Sequence, residues 1–124
     1  MAVDVQFRAA TEDDLRRLHG NMRKADWDEV EAATGDVMGA LLAGFKTSNW
    51  AEACVINGEL ACVIGLAPLR GLLGRVAAPW MLGTPVIDRN RSVLIDESKR
   101  YRDRMLSEYP HLLNCVDARN KKSI

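Results

Sequence analysis

The side chains in this chain with the most distinctive chemistry are three cysteines, Cys54, Cys62 and Cys115, and two histidines, His19 and His111. No two cysteines stand in C-x-x-C spacing, and two scattered histidines do not complete a tetrahedral set, so no metal site is predicted. A cysteine or histidine nucleophile needs a base and an orienting group beside it. The sequence places none next to His19, which shares a helical stripe with Leu15 and Met22, or next to His111, which follows Pro110 in a turn. An odd number of thiols in apolar, strand-like surroundings suits buried, unreactive side chains in a reducing compartment. Trp27, Trp50 and Trp80 are far apart in sequence. A base-stacking platform needs neighbouring exposed aromatics beside a basic groove, so the tryptophans read as core residues. Lys99, Arg100, Arg102 and Arg104 give one long segment a basic side, but Asp96, Glu97, Asp103 and Glu108 interleave with them as on a solvated helix face.

Whatever sites exist must sit on one folded unit. The chain has 124 residues, enough for a single domain spanning 1–124 with one core. Its 48% hydrophobic and 27% charged residues are the balance of a globular domain rather than a disordered one. Seventeen basic residues offset seventeen acidic ones, which leaves no global field for a nucleic acid or an anionic membrane. The apolar run Ala61 to Leu69 is about half of the ~20 residues a membrane span needs, and the start MAVDVQF lacks the basic-then-apolar pattern of a secretory signal.

The elements follow from local signals. Val3 to Arg8 alternates as a strand, and Thr11 followed by Glu12, Asp13 and Asp14 caps a helix carrying Leu15, Leu18 and Met22. Asp26 with Glu29 three residues on reads as the capping box of a second helix that stops at Gly35. Asp36 caps a third helix with Val37, Met38, Leu41, Leu42 and Phe45 on its apolar face. Ala51–Ile56 and Glu59–Leu66 flank Asn57-Gly58, the strongest signal for a two-residue hairpin turn. An unbroken register from that turn sets Ile56 opposite Glu59, Cys54 opposite Ala61 and Ala53 opposite Cys62. The two cysteines then lie on opposite faces and form no disulfide. Both hairpin faces are apolar, so helices are expected on both sides of the sheet. Val76–Leu82 reads as a further strand in which Pro79 implies a bulge or an edge, Asn90–Tyr109 as the longest helix, ended by Pro110, and Leu112–Ala118 as a last strand.

The order strand, helices, hairpin, strand, long helix, strand resembles the first two thirds of the GNAT N-acetyltransferase fold. Trp80 and Leu82, the run Tyr101-Arg102-Asp103-Arg104-Met105-Leu106, and Tyr109, Leu112, Asn114, Val116, Asn120-Lys121 and Ile124 are similar to the GNAT-like internal virion protein A family of short-tailed phages. The fold implied is α/β (α+β): a central mixed, mostly antiparallel sheet with helices on both faces, incomplete at its C-terminal end. In the wider family a loop Q/R-x-x-G-x-G/A after the fourth strand holds the coenzyme A pyrophosphate at a helix start. The matching segment here is Gly83 to Ser92, with Arg89, Arg91 and Ser92 as the cofactor-binding candidates. It lacks the spaced glycines, Asp88 would repel phosphate and Pro85 offers no N–H. Glu59 at the hairpin mouth is the candidate general base, and a polar residue flanking a tight turn is the competing explanation. The family's general-acid tyrosine and its last two strands would fall beyond Ile124.

The resemblance therefore implies a phage-encoded, catalytically degenerate protein acting through protein contacts, located in the virion interior or the host cytoplasm. Its partner would be a virion or host protein, or a second copy meeting the edge near Leu112–Ala118, since an unfinished sheet leaves an unpaired strand. On that reading no cofactor is expected. The alternatives are an acetyl-CoA-dependent N-acetyltransferase and an inhibitor gripping one host protein.

Overall fold

The structure is a computed structural model that describes residues 3–68, 76–109 and 111–112. The expected last strand, Leu112–Ala118, lies outside the described residues beyond Leu112. Five strands form one sheet in the order β1 (Val5–Ala9), β2 (Trp50–Ile56), β3 (Glu59–Pro68), β4 (Val76–Gly83), β5 (His111–Leu112). The first four are antiparallel to their neighbours, and β5 runs parallel to β4. Helices α1 (Glu12–Asn21), α2 (Lys24–Thr34) and α3 (Val37–Thr47) precede β2, and α4 (Pro85–Asp88) and α5 (Arg91–Glu108) follow β4.

Two apolar clusters flank the sheet. Leu15, Leu18, Val37 and Leu41 of α1 and α3 meet Ala53 and Val63 on one face. Val86, Ile87, Tyr101 and Met105 of α4 and α5 meet Cys54, Ile56, Cys62 and Ile64 on the other. The three-layer α/β arrangement is thus as expected from a hairpin apolar on both sides. The tryptophans pack against these clusters, Trp50 on the α5 side and Trp27 and Trp80 on the other. The basic side of α5 is not simply solvated: Arg100 lies over the Phe7 and Tyr101 rings, and Arg104 sits 3.9 Å from the Trp50 ring centroid.

The α1 start forms as its sequence predicts. Thr11 caps the helix and Asp14 completes a capping box, accepting from the Thr11 N–H at 2.8 Å and from both terminal nitrogens of Arg8 at 2.6 and 2.8 Å. The Arg8 hydrogen bonds lower the Asp14 pKa below its ordinary value, burial works against them, and Thr11 adds to the lowering. A carboxylate whose folded-state pKa is depressed contributes stability above its unfolded-state pKa of about 3.9, and loses it as pH falls through the lower folded-state value. The melting temperature should therefore fall in acid from about pH 4 downward, and Asp14→Asn should flatten that fall while lowering the plateau near neutrality. Thermal melts of both proteins between acid and neutral pH check this. An acid limb unchanged by the substitution would refute it.

Two local expectations are corrected. Asp26 does not cap α2. Arg23 holds the N-cap position without a side-chain bond, and Asp26 lies buried in the first turn. The reason is a distant acceptor demand: Asp26 takes the N–H of Gly83 at 2.8 Å and the Nε of Arg23 at 2.9 Å.

The hairpin register is corrected too. Asn57 and Gly58 both have positive φ, 51° and 80°, as a type I′ turn requires, and Ile56 opposes Glu59. One step further the register shifts: Val55 opposes Leu60 and Cys54 opposes Cys62, leaving Ala61 as an extra residue on β3. This bulge turns both cysteines to the α5 face, where both are buried and reduced. Its freed carbonyls have a taker, because the Thr84 hydroxyl donates to Leu60 O at 2.8 Å and the Thr84 N–H to Ala61 O at 2.9 Å. Pro79 pairs with Leu66 in an unshifted β3–β4 register and lies beyond the two residues of β4 that β5 engages, so it marks an edge and not a bulge.

Candidate functional site

β5 pairs with β4 only at Val76 and Ala77. From Ala78 to Gly83, among the described residues, no strand takes up the outer edge of β4. A cavity of about 720 Å³ lies against this edge, within the range of small-molecule sites. It reaches both faces of the sheet. On the α5 side Met81, Ile64 and Cys62 face Val93, Leu94 and Tyr101. On the other side Trp80 and Leu82 face Val30 of α2 and Leu41 and Gly44 of α3.

The walls are fixed by contacts remote in sequence. Trp80 stands directly opposite Gly65, and a Cβ on Gly65 would come within 2.3 Å of the indole ring, so the missing side chain is the space the ring occupies. The indole N–H donates to Ser48 Oγ at 2.8 Å, and that hydroxyl donates to Gly44 O at 2.6 Å, tying the ring to the end of α3. At the other end of β4, the Arg23 N–H donates to Gly83 O at 2.8 Å while Asp26 accepts from the Gly83 N–H, which straps α2 to the strand end. Tyr101 donates its hydroxyl to Glu52 at 2.8 Å. Burial first, and then the Glu52 carboxylate, push its pKa far up, so it stays a neutral wall residue.

The segment from Gly83 to Ser92 differs from a glycine cradle in a way the geometry explains. Thr84 caps the single turn α4, and this turn consumes its own amides: Val86 N–H goes to Thr84 Oγ1, Ile87 N–H to Thr84 O, Arg89 N–H to Pro85 O and Asn90 N–H to Ile87 O. The next helix offers more. No side chain caps the first turn of α5, because the Asn90 amide donates to Val86 O instead, and no acidic residue stands in that turn. An uncapped start of an 18-residue helix favours a negative charge.

The structure sorts the sequence candidates. Arg91, the first residue of α5, lines the cavity. Ser92 is exposed beside it and does not line it. Arg89 and Glu59 meet each other at the hairpin tip, 3.8 Å apart and both largely exposed, away from the cavity. Asp88 receives Arg23 Nη1 at 3.1 Å, so its charge is offset and does not simply oppose an anion. Sequence reasoning missed Arg23 and Arg102, which also line the cavity. Arg102 was read only as part of a charged helix face, and the only local hint at Arg23 is its i,i+3 spacing to Asp26. Burial works against the Arg23 charge, and Asp26 and Asp88 more than offset it. Its Nη2 lies 2.8 Å from Asp26 Oδ2, off the line of a hydrogen bond. The described residues contain no cluster of three metal-ligating side chains and no helix long and apolar enough to cross a membrane.

This architecture is that of the GNAT acetyltransferases. A GNAT-family acetyltransferase from Streptococcus pneumoniae superposes over 97% of this chain and 79% of its own, with a TM-score of 0.58 and 14% identity. An N-acetyltransferase from Staphylococcus aureus Mu50 does so over 97% and 78%, with a TM-score of 0.71 and 15% identity. An aminoglycoside N-acetyltransferase solved with coenzyme A matches over 99% and 84%, with a TM-score of 0.60 and 12% identity. At such identities the likeness defines the fold. No protein-family model and no curated protein matches the sequence.

Proposed function

We propose that the chain binds an acyl-coenzyme A, acetyl-CoA in the simplest case, in the cleft at the β4 edge and transfers the acyl group to an amine. The observation that carries this reading is the cavity that crosses a strand edge paired, among the described residues, only at Val76 and Ala77, and that is lined by cationic side chains including Arg91 at an uncapped helix start. The cofactor supplies an acyl group activated as a thioester. The outward main-chain groups of β4 beyond Ala77 suit the amide-bearing arm of such a molecule, and Arg91 and the first turn of α5 suit its phosphates. Transfer joins the amine nitrogen to the acyl carbon and breaks the carbon–sulfur bond, and the proton shed by the nitrogen ends on the coenzyme A thiol.

Thermal unfolding with acetyl-CoA, coenzyme A and ATP tests the site. Binding to the folded state alone should add about 2.7 kcal/mol at a hundredfold excess over Kd, with both coenzyme A forms and not with ATP. Arg91→Ala should weaken the affinity about tenfold, the scale of one charge-assisted contact. A midpoint that stays still at millimolar acetyl-CoA overturns the proposal.

A second reading draws on α4, whose amides are spent internally where a glycine cradle would present them. On it the chain is a phage-encoded, catalytically degenerate member of the fold that works by contact with a virion or host protein, or acts as an inhibitor of one host protein. This reading predicts no acetyl-CoA stabilisation and stoichiometric co-purification with one defined partner from infected cells.

A further inference from the structure

The acyl-transfer reading makes no use of Cys54 and Cys62. The bulge at Ala61 sets them directly opposite each other on β2 and β3, both on the α5 face of the sheet. Directly opposed residues of an antiparallel pair have Cα atoms about 4.5 or 5.5 Å apart, and both spacings fall inside the roughly 4.4–6.8 Å that a disulfide spans. Facing the same side, the two side chains can be joined without moving either strand. Packing alone would be served by any two small apolar residues. What sets this pair apart is that the sulfurs already interact, the Cys62 S–H donating to the Cys54 sulfur. That hydrogen bond holds the Cys54 thiol below its ordinary pKa, against burial and the Glu97 charge. The same bond, with burial, pushes the Cys62 thiol well up. Cys54 is therefore the sulfur that reaches the thiolate first, and Cys62 the one that keeps its proton.

Both cysteines line the cavity at the β4 edge, yet they are only 2% and 1% exposed. That burial excludes a bulky reagent such as glutathione disulfide and admits a small uncharged oxidant. We propose that Cys54 and Cys62 form a modification site for hydrogen peroxide, at which Cys54 is oxidised and Cys62 resolves it to an intramolecular disulfide. In the first step the Cys54 thiolate attacks one peroxide oxygen and the O–O bond breaks. The hydroxide that leaves takes up the proton the thiol released and becomes water, and Cys54 is left as a sulfenic acid. In the second step the Cys62 sulfur attacks the Cys54 sulfur, the S–O bond breaks, and the departing hydroxide takes the Cys62 proton as a second water. In sum, two thiols and one peroxide give one disulfide and two waters, the sulfurs being oxidised and the peroxide reduced. The site needs no acyl-coenzyme A and stands whether or not the chain is a transferase.

Peroxide titration of the intact chain tests this, with the remaining thiols blocked by iodoacetamide and the chain then cut by a glutamate-specific protease. Glu59 falls between the two cysteines, so the expected product is two fragments held together until dithiothreitol is added, from a protein that keeps the mass of one chain. Glutathione disulfide at the same concentration should leave both thiols free. In Cys62→Ala, dimedone should trap a sulfenic acid on Cys54, and this acid should form about tenfold more slowly because the hydrogen-bond donor is gone. In Cys54→Ala, Cys62 should stay reduced over the same exposure. The proposal is overturned by fragments that separate without reductant, by a bridge to Cys115 or to a second chain, by equal loss of thiols to glutathione disulfide, or by sulfenic acid trapped first on Cys62. Thermal melts show whether each variant folds, and where one does not, the bridge mapped in the intact chain decides alone.

Discussion

Asp26→Ala should destabilise the chain by about 3–5 kcal/mol, the cost of breaking a buried ion pair by removing one partner. Asp26 is 1% exposed and serves two groups, the Gly83 N–H and the Arg23 guanidinium. Its loss leaves the Gly83 N–H without its acceptor and strips Arg23, itself buried to all but 12%, of its closer counter-ion. Asp88 remains at 3.1 Å, but it is half-exposed and its attraction is screened. Asp26→Asn keeps an acceptor for Gly83 and removes only the charge, so it should cost less than the alanine variant. Replacing Arg23 and Asp26 together by apolar residues of similar size should recover much of the loss, since a buried pair contributes little net stability beyond a packed isostere. Urea denaturation of the three variants measures all of this. A loss below about 1 kcal/mol for Asp26→Ala would show that the strap between α2 and β4 does not stabilise the fold. Because that strap also fixes the strand end beside α4, the alanine variant should lose acetyl-CoA stabilisation even where it remains folded.

Gly65→Ala should cost about 1–3 kcal/mol although alanine is the smallest change available, because overpacking forces atoms off their resting positions. The added carbon would fall within 2.3–2.5 Å of three atoms of the Trp80 indole, a separation that cannot persist. The ring must leave β3, and leaving breaks its hydrogen bond to Ser48. A double-mutant cycle isolates the clash: with Trp80→Leu already in place, Gly65→Ala should be nearly neutral, giving a coupling energy above about 1 kcal/mol. Additive costs would show that the glycine is not there for the indole.

Both positions show what kind of information the sequence holds. The Asn57-Gly58 turn, the Thr11 cap, the Asp36 cap and the Gly35 stop were legible because each is settled within four residues of backbone. The layer order was legible as well, since a hairpin apolar on both faces must be covered twice. The GNAT likeness of the element order holds in the fold. The likeness to a phage virion family rests on residues of the same stretch and stays a proposal.

The cysteine faces were not legible, because strand periodicity is two and one extra residue reverses it. Nothing at Ala61 announces the bulge. Its stabiliser, Thr84, is 23 residues away. The same holds for Asp26, a capping residue by its spacing and a partner of Gly83 by its geometry, 57 residues on. Among the site candidates, Arg91, named for its place in the segment after the fourth strand, lines the cavity. Arg89 and Glu59 looked equally suited and instead bridge each other at the surface. By itself, then, the sequence determined most of the elements, the caps of α1 and α3 and the two-sided sheet, for these depend on near neighbours and on the alternation of apolar residues. Only the tertiary structure decided which residues face the cleft, because that depends on where buried amides and carbonyls far apart in the chain find their partners.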